Sequence, residues 1–224
     1  MSDKKHCKRG MKYSRLALLW GEKAVQMLHA KHVLLLGVGG VGSLCLDCLY
    51  RSGVGHITIV DYDTYDISNQ NRQMWSELHL GQSKVASLKT HYPAIETYDV
   101  RIDAKWVEDF DFSPYDVVID AIDDTQAKIA LALKCSEKLL SSMGSAKRTD
   151  PTEIVYTSIW QTQGDPFARK IRYELRKRNF EGDYKVVTST QLPQCEAKGS
   201  FVAVTGSFGL TLCAKAIDIL LEQK

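Results

Sequence analysis

Residues 32–63 read HVLLLGVGGVGSLCLDCLYRSGVGHITIVDYD. A short apolar run, HVLLL, enters a glycine-rich turn. A stretch with apolar residues at helical spacing follows, and a second apolar run, HITIV, ends in acid. That order predicts strand, phosphate loop, helix and strand, the opening unit of a doubly wound α/β fold. Within the loop 37–42, GVGGVG, the G-x-G-x-x-G spacing falls on Gly37, Gly39 and Gly42, with Gly40 between them. The first lets the chain turn tightly, the second lets backbone approach a phosphate, and the third lets helix pack on strand. The helix start then offers unpaired N–H groups and a positive dipole end to an anion. Asp61 stands 19 residues beyond Gly42, where such folds place the carboxylate that takes a ribose hydroxyl. A nucleotide ligand follows, and the glycines alone favour a dinucleotide over ATP.

The rest of the chain fits one such domain. Its 224 residues, 44% hydrophobic and 25% charged, are ordinary for a soluble globular protein, and the net charge of +2 says little about partners. The first dozen residues, MSDKKHCKRGMK, are basic and lack the apolar core of a secretory signal, so they read as a loose end. Helical patterns are predicted over 14–29, after the glycine loop to about 51, from about 81 past 88, over 126–139 and at the C-terminus. Further strands are predicted over 98–101, 115–119, 153–159 and 185–189. The apolar stretch 201–221 carries Lys215 and Asp218, which favours a buried helix over a membrane span. Strands alternating with helices predict a Rossmann-like, mostly parallel sheet with helices on both faces. A single domain is expected, with residues 13–125 as nucleotide core and 126–224 as acceptor half, in a reducing cytoplasm.

Three features past the glycine loop turn the reading towards a triphosphate. The loop 61–73 holds Asp61, Asp63, Asn69 and Arg72; Asn69 can bond phosphate or sugar oxygens and Arg72 can pair bidentately with phosphate. Lys84, in GQSK, opens a helix that could face that loop. DAIDD, residues 120–124, follows a buried strand, where bare carboxylates would repel phosphates unless a metal bridges them. Taken singly, each has a plainer meaning: a polar turn, a solvated lysine, a helix cap. Together they favour Mg-ATP over a dinucleotide.

GVGGVGS, DYD, SNQNRQ, GQSK and DAIDD, in this order and spacing, resemble the ThiF/MoeB-type adenylating enzymes, relatives of the ubiquitin-activating enzymes. The resemblance spans about residues 13–125. It implies a homodimer that binds Mg-ATP in each subunit and attaches AMP to a carboxylate. By position, Asp61 would take the ribose, Asn69, Arg72 and Lys84 the phosphates, and Asp123 the Mg²⁺. The segment 12–15, KYSR, resembles the family's R-Y-S-R element, which would send Arg15 across the dimer to the partner's triphosphate. The catalytic set implied is therefore Arg15, Arg72, Lys84 and Asp123.

Sulfur-carrier activators of that family hold zinc with two C-x-x-C pairs. Here the six cysteines give one such spacing, Cys45 and Cys48, inside the helix after the glycine loop. Core packing is the expected reading, Cys7, Cys135, Cys195 and Cys213 lack ligand spacing, and no zinc is expected. The second half, with SMGSAKRTDPT at 142–152 and DPFARKIRYELRKR at 165–178, resembles the branch that dehydrates threonylcarbamoyladenosine in tRNA. That implies adenylation of the nucleoside's carboxylate in the anticodon loop, then ring closure with loss of AMP. On the basic helix, Phe167, Ile171 and Leu175 would face the core. Arg169, Arg172 and Arg176, with Lys170, would offer RNA phosphates a cationic face, or would simply be solvated. Two other readings stay open: adenylation of a ubiquitin-like sulfur carrier, and a non-catalytic nucleotide-binding subunit. So do a thioester role for Cys195, a sulfur-transfer partner and a monovalent-cation requirement.

Overall fold

A computed structural model describes residues 12–222; the expected loose N-terminus up to residue 11 and Cys7 lie outside them. One seven-stranded sheet runs through the molecule in the order β3-β2-β1-β4-β5-β7-β6. The strands are β1 (His32–Leu36), β2 (His56–Val60), β3 (Glu96–Tyr98), β4 (Val117–Asp120), β5 (Leu139–Ser142), β6 (Ile154–Ser158) and β7 (Lys185–Ser189). All neighbours pair parallel except β6, which runs antiparallel to β7 at one edge. The central strands HVLLL and VVID are buried along nearly their whole length, as strands covered on both faces must be. The doubly wound α/β fold expected from the glycine loop is thus present.

The helices are α1 (Ser14–Trp20), α2 (Glu22–His29), α3 (Gly42–Arg51), α4 (Lys84–His91), α5 (Ala104–Asp109), α6 (Thr125–Cys135), α7 (Pro166–Lys177) and α8 (Val202–Glu222). Alternate residues of β1 feed two cores. Val33 and Leu35 pack with α2, α3, α4 and α8, while Leu34 and Leu36 pack with α5, α6 and α7. By length and composition α8 could cross a membrane. Here it is a core helix, with Val204, Phe208, Leu212 and Leu220 fully buried. It lies so close to α3 that a Cβ on Gly209 would sit 2.3 Å from the Val41 carbonyl oxygen. Cys45 of α3 is fully buried at this contact, its thiol pushed up by burial. Cys48 is half-buried, its thiol lowered chiefly by a hydrogen bond from Cys213 of α8. These cysteines pack in the core, as their spacing suggested.

Several boundaries differ from the sequence reading. The helix expected over 14–29 is two helices, broken at Gly21 with φ +86°. The helix expected to 139 ends at Cys135, and a short turn hands the chain to β5 at Leu139. The strand expected at 98–101 is Glu96–Tyr98. Helix α5 was not foreseen; its N-cap, Asp103, accepts from the Trp106 N–H at 2.8 Å.

Candidate functional site

Strand order reverses between β1 and β4: β1 leads to β2 and β3 on one side, β4 to β5 on the other. In open α/β sheets ligands bind at that switch point, beyond the carboxyl ends of the strands. A cleft of about 1140 Å³ opens there. The loops after β1, β2, β4 and β5 and the start of α7 all line it.

The glycine loop forms the floor. Gly37 has φ +83°, and a Cβ there would meet the Ala121 carbonyl oxygen at 2.9 Å. Asp61, at the end of β2, ties this loop to the next. One carboxylate oxygen accepts from the Val38 N–H at 2.8 Å and the other from the Asp63 N–H at 2.9 Å. Burial pushes the Asp61 carboxyl above its ordinary range, against the pull of the Lys84 charge and these two N–H groups. Lys84, itself buried, places Nζ 2.8 Å from Asp63 Oδ2, and both residues line the cleft. Residues 67–69 form a single helical turn capped by Asp66. In it the Asn69 side chain accepts from the Asp66 N–H. Arg72 lies over the loop, its Cγ 3.0 Å from where a Gly40 Cβ would stand. It donates to the Ser68 carbonyl at 2.7 Å and to Asn71 at 2.8 Å.

The three carboxylates at and just beyond the end of β4 divide their work. Asp120 is wholly buried and binds Lys128 Nζ at 2.8 Å and the Ser141 hydroxyl at 2.6 Å. Asp124 is the N-cap of α6, accepting from the Ala127 N–H at 2.8 Å. Asp123 and Asp124 are both exposed and line the cleft, Asp124 with one oxygen engaged as the cap. The helix cap that DAIDD could supply is thus Asp124. Among the described residues no group of three or more metal-binding side chains stands together. A cation at Asp123 would therefore take most of its ligands from phosphate and water, as Mg²⁺ does.

The far end of the cleft is cationic. Lys147, Arg148, Lys170 and Lys198 line it, and Arg101 stands at the other side. Arg148 is almost fully buried, donates through Nε to the Gly144 carbonyl at 2.9 Å, and has Nη2 3.6 Å from Asp165 Oδ1. Its Nη1 has no hydrogen-bond partner, and burial lowers its pKa. Asp165 caps α7 through the Phe167 N–H and clamps the β5 loop through the Gly144 N–H. Lys147, Arg148 and Lys198 did not stand out in the sequence. The SMGSAKR stretch was the available signal, and burial of its arginine cannot be read from spacing.

The cleft brings together Gly37, Gly39, Gly40, Asp61, Asp63, Asn69, Arg72, Lys84, Asp123 and Lys170. Gly42 backs the loop, where a Cβ would stand 1.9 Å from the Gly37 carbonyl oxygen. Arg15, on α1, does not line the cleft of its own chain, and neither do Arg169, Arg172 and Arg176. Arg172 donates to the Thr162 hydroxyl and Arg176 lies 5.4 Å over the Trp160 ring. Cys195 is exposed, its thiol donating to the Ala197 carbonyl at 3.2 Å.

Fold and cleft together define a doubly wound nucleotide-binding α/β protein. The ThiF family profile matches residues 13–224, and the chain belongs to that family. It is 38% identical over 192 residues to the tRNA threonylcarbamoyladenosine dehydratase of Bacillus subtilis, covering 81% of this chain and 75% of that one. Its structure resembles that of the E. coli tRNA N6-threonylcarbamoyladenosine dehydratase, TcdA, in complex with ATP, with TM-score 0.88 at 29% identity over 94% of both chains. The same E. coli protein in complex with AMP gives TM-score 0.87 at 30% identity, again over 94% of both.

Proposed function

We propose that this protein is an ATP-dependent dehydratase acting on threonylcarbamoyladenosine in the anticodon loop of tRNA, through adenylation of its carboxylate. The observation that carries the reading is one cleft joining two kinds of surface. At one end stand the glycine loop, Asp61, Arg72, Lys84 and Asp123. At the other stand Lys147, Arg148, Lys170 and Lys198. The similarity to dehydratases over most of the chain supports the same acceptor.

Asp61 receives the ribose hydroxyls; Asn69, Arg72 and Lys84 hold the phosphates, and Asp63 keeps Lys84 in place. Asp123 would hold Mg²⁺, which would spread the triphosphate charge. The substrate carboxylate attacks the α-phosphate, releasing pyrophosphate and forming the acyl adenylate. Arg72 and Lys84 stabilise charge developing on the phosphoryl oxygens. A nucleophile within the same side chain then displaces AMP and closes the ring, so one water is lost overall and ATP becomes AMP and pyrophosphate. The protein works in the cytoplasm as a homodimer in which Arg15 completes the partner's site. That assembly fits α1, which buries none of its seven residues in its own chain and leaves Leu18 and Leu19 exposed.

The test is to incubate the protein with ATP, Mg²⁺ and tRNA carrying threonylcarbamoyladenosine, and to weigh the released nucleosides. The expected product is lighter than substrate by one water, with one AMP formed per product. No mass change on tRNA, with AMP formed instead on a ubiquitin-like carrier, would assign the protein to sulfur-carrier activation.

A further inference from the structure

Helix α7 presents its cations unevenly. Ala168, Ile171 and Leu175 are buried in the core. Arg172 and Arg176 turn to Thr162 and Trp160 within the chain. On the side opposite the buried face, Pro166, Lys170, Tyr173 and Lys177 follow one another at the four- and three-residue spacing that aligns side chains along a helix. Pro166 and Lys170 line the cleft. Tyr173 and Lys177 continue the same line away from it. Tyr173 is 59% exposed, and Lys177 Nζ stands 5.4 Å over its ring.

A lone exposed aromatic needs no explanation. This one differs because it sits between two lysines on a line that starts inside the cleft. Alternation of cations with an exposed ring is what single-stranded nucleic acid requires: lysines for backbone phosphates and a flat face for a base. Resting on the tRNA reading above, we propose that Tyr173 is a stacking platform for an unpaired base next to the modified nucleotide, with Lys170 and Lys177 holding the phosphates on either side. Tyr173 positions the substrate and touches no reacting atom. Loop bases are splayed out and read by stacking on aromatic side chains in many RNA complexes.

The experiment measures binding of an anticodon stem-loop RNA to the full chain by fluorescence anisotropy over a series of salt concentrations. Tyr173→Ala, Tyr173→Phe and the double variant Lys170→Gln with Lys177→Gln are compared with wild type. Tyr173→Ala should weaken binding about ten-fold, the scale of one base–aromatic stack, and leave the salt slope unchanged. Tyr173→Phe keeps the ring and should restore binding. The double variant should flatten the salt slope, because two phosphate contacts are lost. The rise in Tm caused by ATP should be the same in Tyr173→Ala as in wild type, which also shows that it is folded. If Tyr173→Ala binds as wild type does while the double variant is weakened, the platform is overturned and the tRNA reading stands. If the wild-type chain does not bind the RNA at any salt concentration, both fall together.

Discussion

At the scale of single residues, the cleft separates side chains that hold the fold from those that await a ligand. Lys84 is buried, but its partner Asp63 keeps 46% of its side chain exposed. Removing the lysine therefore leaves a carboxylate that water can solvate. Lys84→Ala should cut AMP formation by two to three orders of magnitude, about the loss of one charge-stabilising group, with a nearly unchanged urea midpoint. Near-normal AMP release would mean the phosphates lie elsewhere. Lys128 is the opposite case. Both it and Asp120 are fully buried, so Lys128→Met strands a carboxylate away from water. It should destabilise the protein by about 3–5 kcal/mol in urea unfolding. Asp61 gives a pH signature. Its folded pKa is raised by burial, so its stabilising contribution is complete below the unfolded carboxylate range and is lost as pH rises through the folded value. Asp61→Asn removes that dependence. Measured by urea unfolding, the stability difference between variant and wild type should move in the variant's favour from acid to neutral pH. A constant difference would show that the Asp61 carboxyl is not raised. The cleft residues Gly37, Gly39, Asp61, Asp63 and Asp123 were readable because short motifs follow strands directly. Arg148 and the Lys128–Asp120 pair were not, since their partners lie on β5 and α7, set by tertiary packing.

At the scale of elements, closeness between α3 and α8 is written into one missing side chain. The van der Waals space at Gly209 is already filled by the Val41 carbonyl oxygen, whereas a Cβ on Gly81, at φ +77°, would meet nothing within 4 Å. Gly209→Ala must push two helices apart and should cost about 1–3 kcal/mol or more. Gly81→Ala meets only backbone strain, about 1 kcal/mol. Chemical denaturation of both variants should rank them in that order; a reversed order would mean that α8 yields easily. The two strands flanking the glycine loop were readable from sequence because their apolar runs end in sharp chemical signals, glycine and acid. Strand β5 was missed because LLSS, Leu139–Ser142, is too short to show a period beside the apolar helix before it. The break at Gly21 was missed because the apolar residues on either side keep helical spacing through it.

At the scale of the whole molecule, the proposed dimer gives Arg15 a place in a site that the cleft of its own chain does not give it. Arg15 is exposed on α1 and absent from the cleft of its own chain, and the apolar residues beside it, Leu18 at 79% and Leu19 at 69%, face solvent. A helix with no buried residue gains little from packing in its own chain, and an exposed apolar face of this kind suits the proposed second subunit. If two chains pair through α1, each Arg15 can reach the partner's triphosphate, and neither residue is needed in the same chain as Lys84. Arg15→Ala and Lys84→Ala should then each be inactive alone. Mixed under conditions that allow subunit exchange, they should form heterodimers with one site holding a partner's intact Arg15 and its own intact Lys84. A statistical mixture makes half of all dimers heterodimeric, each with one working site of two, so about a quarter of wild-type AMP formation should return. Recovery should require exchange: cross-linking the two homodimers before mixing should abolish it. No recovery after exchange has been confirmed by mass spectrometry would mean that Arg15 serves its own chain or none, and that the exposed face of α1 is not the catalytic dimer interface.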